Sequence, residues 1–422
     1  MTRQTRYDLK ALFLLVLLGA APAADAQVQP QLAQRYFEEA TKLCERDAGR
    51  LWGVSLCGPM VIFDQATGTR ATSQPEPEGP PPRFAGDADG PVSWGGLRWF
   101  AFPLFMLPAE NAEVRQQVML HGLFHRIQPE LELVTEDGFN EHLHTLEGRV
   151  WLQLEWRALR RAIESGGSSQ DEAIADALAF RRERRRRFPG AAENERREEI
   201  REGLASYTGI AASANSPADA HRAAALALAG GEMQPSFVGN FEAASGPAYG
   251  VLLDDLEPGW RRQVRSSSDL GDMLTSAIRS SPTTDLAVAA ARYDGATLRA
   301  AEEARDRALQ ARVAELRQRF VDGPVLTMPA AGSGTSDTRD NVGIPGAGTV
   351  FFHDFTLSAR WGRLNANNGV LRSADGTTLS VPVTRPLEGT TLQGDGWSIT
   401  LNAGWVVRPA ARAGSFSIVR EN

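Results

Sequence analysis

Apolar residues recur at helical intervals along most of the chain before position 324. Val114, Val118, Leu120, Phe124 and Ile127 mark one face of a helix over 111–128. The same spacing predicts helices over 28–46, 140–165, 170–212, 217–230 and 285–321. Breaks fall at Gly166-Gly167 and at Phe188-Pro189-Gly190, and Leu309, Val313, Leu316 and Phe320 form one stripe in the last helix. Two β-prone runs, Met60 to Phe63 and Leu97 to Phe102, flank a Pro- and Gly-rich loop at 71–91. After Pro324 the helical period ends. Val350 to Leu357, Thr377 to Val383, Trp397 to Leu401 and Ser415 to Val419 read as strands, with turn signals at Asn368-Gly369 and Asp375-Gly376. Residues 330–348 read as a mobile linker or long loop.

This pattern predicts an α+β protein. A mainly helical domain with a few N-terminal strands, 27–323, precedes a small all-β, sandwich-like domain, 324–422. The length of 422 residues and the 42% hydrophobic, 23% charged composition exclude collagen-like and disordered classes. A formal charge of −7 argues against a nucleic-acid binder. Two of the 45 basic residues are lysine, an arginine bias that fits GC-rich coding better than a function.

The N-terminus changes the picture. Arg3, Arg6 and Lys10 precede the apolar run Ala11 to Leu18, and Ala24-Asp25-Ala26 supplies a small-residue cleavage site. This pattern predicts a signal peptide over residues 1–26 and a periplasmic or secreted protein. The run is too short to span a bilayer, and no later segment is long and apolar enough, so no transmembrane segment is expected in the mature chain. An oxidising compartment in turn predicts that Cys44 and Cys57 pair as a disulfide. Closing so short a loop stabilises by about 3 kcal/mol in the chain-entropy view.

The sharpest chemical signal is Leu120-His121-Gly122-Leu123-Phe124-His125-Arg126. Two histidines four residues apart share one helix face, so both rings can reach one Zn²⁺. Downstream stands Glu202-Gly203-Leu204-Ala205-Ser206-Tyr207. The pair of motifs, in this order, resembles the secreted bacterial gluzincin-like zinc metallopeptidases, over about residues 30–260. The resemblance implies a zincin-like helical domain, a metal triad of His121, His125 and Glu202, a zinc cofactor, and a peptide or protein substrate or ligand. It also exposes a departure. In the family a glutamate follows the first histidine and takes the proton of the attacking water. Here that position is Gly122. General acid–base catalysis is worth about 10²–10⁴-fold, so peptide hydrolysis should be lost or severely impaired.

Three readings follow. The leading one is an exported, zinc-peptidase-like pseudoenzyme or strongly impaired hydrolase. The second is an active zinc hydrolase using another base, since zinc itself lowers the pKa of its water. The third is a metal-free envelope binding or structural protein. Glu198, Glu199, His144 and Tyr207 are the candidates for a replacement base or for groups supporting the triad. His142 lies beside His144, but residues two apart diverge on a helix. Tyr249 and Gly246-Pro247-Ala248-Tyr249-Gly250 suggest core packing or a turn. Six arginines in the seven positions 181–187 read as an exposed helix of alternating charge, because Glu193, Glu195, Glu198, Glu199 and Glu202 follow. Trp361, Trp397 and Trp405 are either core or a ligand-binding face of the β domain.

Overall fold

A computed structural model describes residues 28–82, 90–279, 283, 285–336 and 340–421. The expected leader, 1–26, lies outside the described residues. The architecture is α+β, helices first and sheets last, as the pattern predicts. The chain divides into two compact units between Glu302 and Glu303.

In the first unit, helix α1 (Pro30–Asp47) precedes strands β1 (Met60–Phe63), β2 (Arg70–Thr72), β3 (Gly90–Trp94) and β4 (Leu97–Pro103). Their sheet has the order β2-β1-β4-β3, with β1 and β4 parallel and the other pairs antiparallel. The two-residue period of a strand explains its two faces. Met60, Ile62, Phe100 and Phe102 join the large helical core, whereas Val61, Phe63, Trp99 and Ala101 form a small cluster on the other side. Helix α2 (Ala112–Ile127) starts at Asn111, whose side chain accepts a hydrogen bond from the Val114 N–H at 3.1 Å. It is buried on nearly all sides, so its apolar residues exceed one stripe.

Helices α3 (Leu146–Ile163), α4 (Ser168–Arg187), α5 (Ala191–Glu198), α6 (Leu204–Ser213), α7 (Pro217–Glu232) and α8 (Glu242–Leu256) follow. The start of the expected 140–165 helix is instead a short 3₁₀ turn, Glu141–His144. Between α5 and α6, residues Glu199–Gly203 form a π turn. Helix α8 crosses that turn at backbone distance: a Cβ on Gly246 would stand 2.3 Å from the Gly203 Cα. The small Gly-Pro-Ala-Tyr-Gly stretch is therefore a helix–helix contact. Cys44 and Cys57 form a disulfide, with Cα atoms 5.2 Å apart.

The second unit holds a five-stranded and a seven-stranded sheet. Leu326, Leu379 and Val381 from one and Leu364, Trp397 and Ile399 from the other share a core. Trp361 and Trp397 are buried, which rules them out as an exposed ligand face. The expected strand from Val350 to Leu357 is two strands, Gly348–Phe351 and Phe355–Ala359, because the chain turns at Asp354 with φ of 45°. The expected linker over 330–348 contains the strands Gly332–Thr335 and Val342–Ile344, each paired in a sheet. Glycine-rich strands carry little periodic signal, and pairing decides them. The helix Gly295–Arg317 runs through the division of units. Its end and the turn after it bury Leu316 and Phe320 against Ile344, Val350 and Leu371, whereas Leu309 is exposed.

Among the described residues no helix is long and apolar enough to cross a membrane.

Candidate metal centre

Helix α2 brings His121 and His125 edge to face, ring centroids 4.7 Å apart, with their Nε2 atoms 3.0 Å from each other. The π turn supplies the third group. Glu202 Oε2 lies 3.2 Å from His125 Nε2 and 3.4 Å from His121 Nε2. All three residues are buried, and they form the one cluster among the described residues able to hold a metal ion.

The geometry can be tested against an ion. Ligand atoms at about 2.0–2.1 Å around a tetrahedral centre stand roughly 3.3–3.4 Å apart. The observed separations of 3.0, 3.2 and 3.4 Å are close to that set. The outer ring nitrogens are also engaged. Gln128 donates its amide nitrogen to the carbonyls of Leu133, Ile200 and Arg201, so its Oε1 faces His125 Nδ1, at 2.9 Å. An amide oxygen only accepts, so His125 Nδ1 carries the hydrogen, and Nε2 is the ring nitrogen that faces His121 and Glu202. Ser206 Oγ stands 3.3 Å from His121 Nδ1. Two imidazole nitrogens and a carboxylate oxygen facing one another at these distances can share one cation. The residues present fit a metal.

Electrostatics point the same way. Burial opposes ionisation of Glu202, but His125, His121 and the Arg201 guanidinium outweigh it and hold its carboxyl well below the usual range. Burial pushes the His121 imidazole down, toward the neutral form that binds metals. Arg201 Nη1 is 3.1 Å from the outer oxygen of Glu202.

Gly122 has a physical setting that its sequence does not reveal. A Cβ there would stand 2.5 Å from Phe100 Cε1 and 2.6 Å from Phe102 Cε1. The Phe100 ring lies parallel to His125, at 6.1 Å and 12°. Two aromatic rings of β4 thus fill the space beside Gly122, the residue that follows His121 on the helix.

The other candidate residues are placed elsewhere. Glu198 accepts from the Gly138 N–H at 2.5 Å and from Arg201 at 2.7 Å, which ties the loop after α2 to the π turn. Glu199 is held by both terminal nitrogens of Arg181, at 2.6 and 2.5 Å. Tyr207 donates to Asp254 at 2.7 Å. His142 contacts Glu195 at 2.8 Å, and His144 sits exposed on the 3₁₀ turn. Tyr249 donates to the buried Glu155 at 2.7 Å.

The arginine run differs from its expected exposed character. Arg182, Arg186 and Arg187 face solvent, but Arg181 and Arg184 are buried. Arg184 bonds Glu155 and Glu195, and Arg181 bonds Glu199 and Asp269. This lattice ties α3, α4 and α5 to the π turn that carries Glu202. The sequence could not assign these partners because Glu155 lies far from the run and on another helix.

Gln128, Ser206, Arg201, Phe100 and Phe102 escaped the sequence reading as site residues. Gln128 follows His125 by three, which is a same-face spacing, and Arg201 adjoins Glu202; both left that much signal. Glu242 on α8 left none. It is buried, and its Oε2 has no hydrogen-bond partner among the described residues. Burial first, then the charges of Glu198 and Glu202, raise its carboxyl well above the usual range.

Comparison with protein-family models, with curated proteins and with solved structures returns no match to this chain.

Proposed function

We propose that this chain is an exported zinc-binding protein of metallopeptidase type whose peptide hydrolysis is lost or severely impaired. The observation that carries the reading is the pairing of a metal-compatible triad with a filled base position. His121, His125 and Glu202 converge at ligand spacing, while Phe100 and Phe102 occupy the space beside Gly122. A zinc ion bound here supplies Lewis-acid polarisation of an oxygen. Gln128 orients His125, Ser206 contacts His121, and Arg201 neutralises the outer oxygen of Glu202. No glutamate on α2 stands ready to accept a proton. The disulfide supports an oxidising compartment.

The test measures zinc stoichiometry and peptide cleavage on the full chain. One zinc per native chain is expected, none in His121→Ala or Glu202→Ala, and no chelator-sensitive cleavage of a mixed peptide library. Robust chelator-sensitive cleavage would overturn the impairment and favour an active hydrolase with another base. A native chain that holds no zinc, with thermal stability indifferent to chelator, would leave the metal-free binding or structural reading.

A further inference from the structure

Helix α2, which carries both histidines, and helix α6, which follows Glu202, share a neighbour. Residues 48–57, closed by the Cys44–Cys57 disulfide, form a loop that is clamped to α2 and to α6, the helix that continues the π turn. Its turns use left-handed backbone at Ala48, Gly49 and Gly53, and it sends Leu51, Trp52 and Leu56 into the core. Trp52 reaches α2 through the Phe124 ring, at 5.1 Å, one residue before His125. It reaches α6 through its Nε1, which donates to Thr208 Oγ1 at 3.0 Å, and through the Tyr207 ring at 6.4 Å. On the other side of His125, Arg126 donates to the carbonyls of Ser55, Leu56 and Cys57, the last at 2.6 Å. Its guanidinium lies against Gly58, where a Cβ would stand 2.1 Å from Nε.

His125 is therefore bracketed by residues that grip this loop, and the helix after Glu202 is gripped by the same tryptophan. We infer that the disulfide-closed loop is the positioning device of the metal centre: Trp52 and Arg126 hold α2 and α6 at the separation the ligands need, and opening the disulfide weakens metal binding. This rests on the metal reading above. The physical reason is entropic. A closed loop keeps Trp52 seated with few alternatives open to it, whereas an open one lets the wedge leave and α2 drift from α6 and from the π turn that α6 continues. Metal affinity is sensitive to such support, and loss of groups that orient ligands typically costs 10–100-fold.

The experiment compares zinc affinity, by competition with a chromogenic chelator, in the native oxidised chain and in Cys44→Ala/Cys57→Ala, which has no thiols to bind zinc themselves. A fall of about 10–100-fold is expected. Leu159→Ala, a fully buried change on α3, controls for general loss of stability and should keep native affinity at temperatures where it is folded. Arg126→Met leaves the disulfide intact and removes the clasp, so it gives the answer if the cysteine variant does not fold; it should weaken zinc binding in the same direction. A second readout needs no metal: amide exchange in Ala112–Ile127 and Leu204–Ser213 of the zinc-free chain should quicken in the cysteine variant. Unchanged affinity in both loop variants, or an equal loss in Leu159→Ala, overturns the positioning role while leaving the metal site standing. A native chain that binds no zinc overturns the metal site and this role together, and unchanged amide exchange counts against the positioning role whatever the zinc result.

Discussion

Gly122→Ala puts the packing beside Gly122 to a direct test. The new Cβ would stand 2.5 Å from Phe100 Cε1, 2.6 Å from Phe102 Cε1 and 2.7 Å from Phe100 Cδ1. Carbon atoms in comfortable contact are about 3.5–4.0 Å apart, so each ring must retreat by about 1 Å. Neither has much room. Both are 1% exposed, their centroids are 4.7 Å apart, and Phe100 also stacks on His125. Overpacking of this kind costs about 1–3 kcal/mol. Against it, alanine gains about 1 kcal/mol over glycine in a helix interior. The net expectation is a loss of up to about 2 kcal/mol, read from urea unfolding followed by tryptophan fluorescence. The decisive arm repeats the change in a Phe100→Leu/Phe102→Leu background, where the obstruction is trimmed. There Gly122→Ala should turn neutral or stabilising, giving a coupling energy of about 1–3 kcal/mol. If Gly122→Ala stabilises the native background by about 1 kcal/mol, or acts identically in both, the rings do not exclude a side chain. The same logic predicts that Gly122→Glu alone cannot restore hydrolysis, because its longer side chain must pass the same two rings.

Three further outcomes are expected. Gln128→Leu removes the acceptor that fixes the His125 ring and should weaken zinc binding about 10–100-fold; native affinity in this variant would contradict the orienting role. Arg184→Met leaves Glu155 and Glu195 buried without their shared cation and should cost about 3–5 kcal/mol in chemical unfolding; a loss below about 1 kcal/mol would mean that the lattice contributes little. Asp255 hydrogen-bonds His221 Nε2 at 3.1 Å and raises its imidazole above the usual value. The stability this contributes is present below the unfolded pKa of about 6.5 and is lost as pH rises through the higher folded value. An NMR titration should therefore place the His221 midpoint above about 6.5, returning toward it in Asp255→Asn; equal midpoints would refute the pairing.

Local signals identified the helix over 111–128, its two histidines and the later glutamate. The spacing of four between His121 and His125 fixes a common face in any α-helix, so the structure had little freedom there. Glu202 was legible only through its surrounding motif, because nothing local tells how the π turn before α6 meets α2. Tertiary contact also decided the fates of Glu198 and Glu199. Glu198 is committed to the nearby Arg201 and to the distant Gly138 N–H, and Glu199 to Arg181 on another helix; sequence distance had hidden the last two.

By itself the sequence determined the α+β order, most helix positions, the pairing of the two cysteines and the identity of the metal-compatible residues. The helix positions and the shared face of His121 and His125 follow from periodicity and spacing, the cysteine pairing from the expected compartment, and Glu202 from the motif resemblance. Only the tertiary structure decided that two ring nitrogens and a carboxylate oxygen meet within 3.4 Å, that Phe100 and Phe102 fill the place beside Gly122, and that Arg181 and Arg184 turn inward. Those outcomes depend on which distant residue occupies a given volume. The sequence places a glycine after His121, but packing alone shows whether a side chain would fit there.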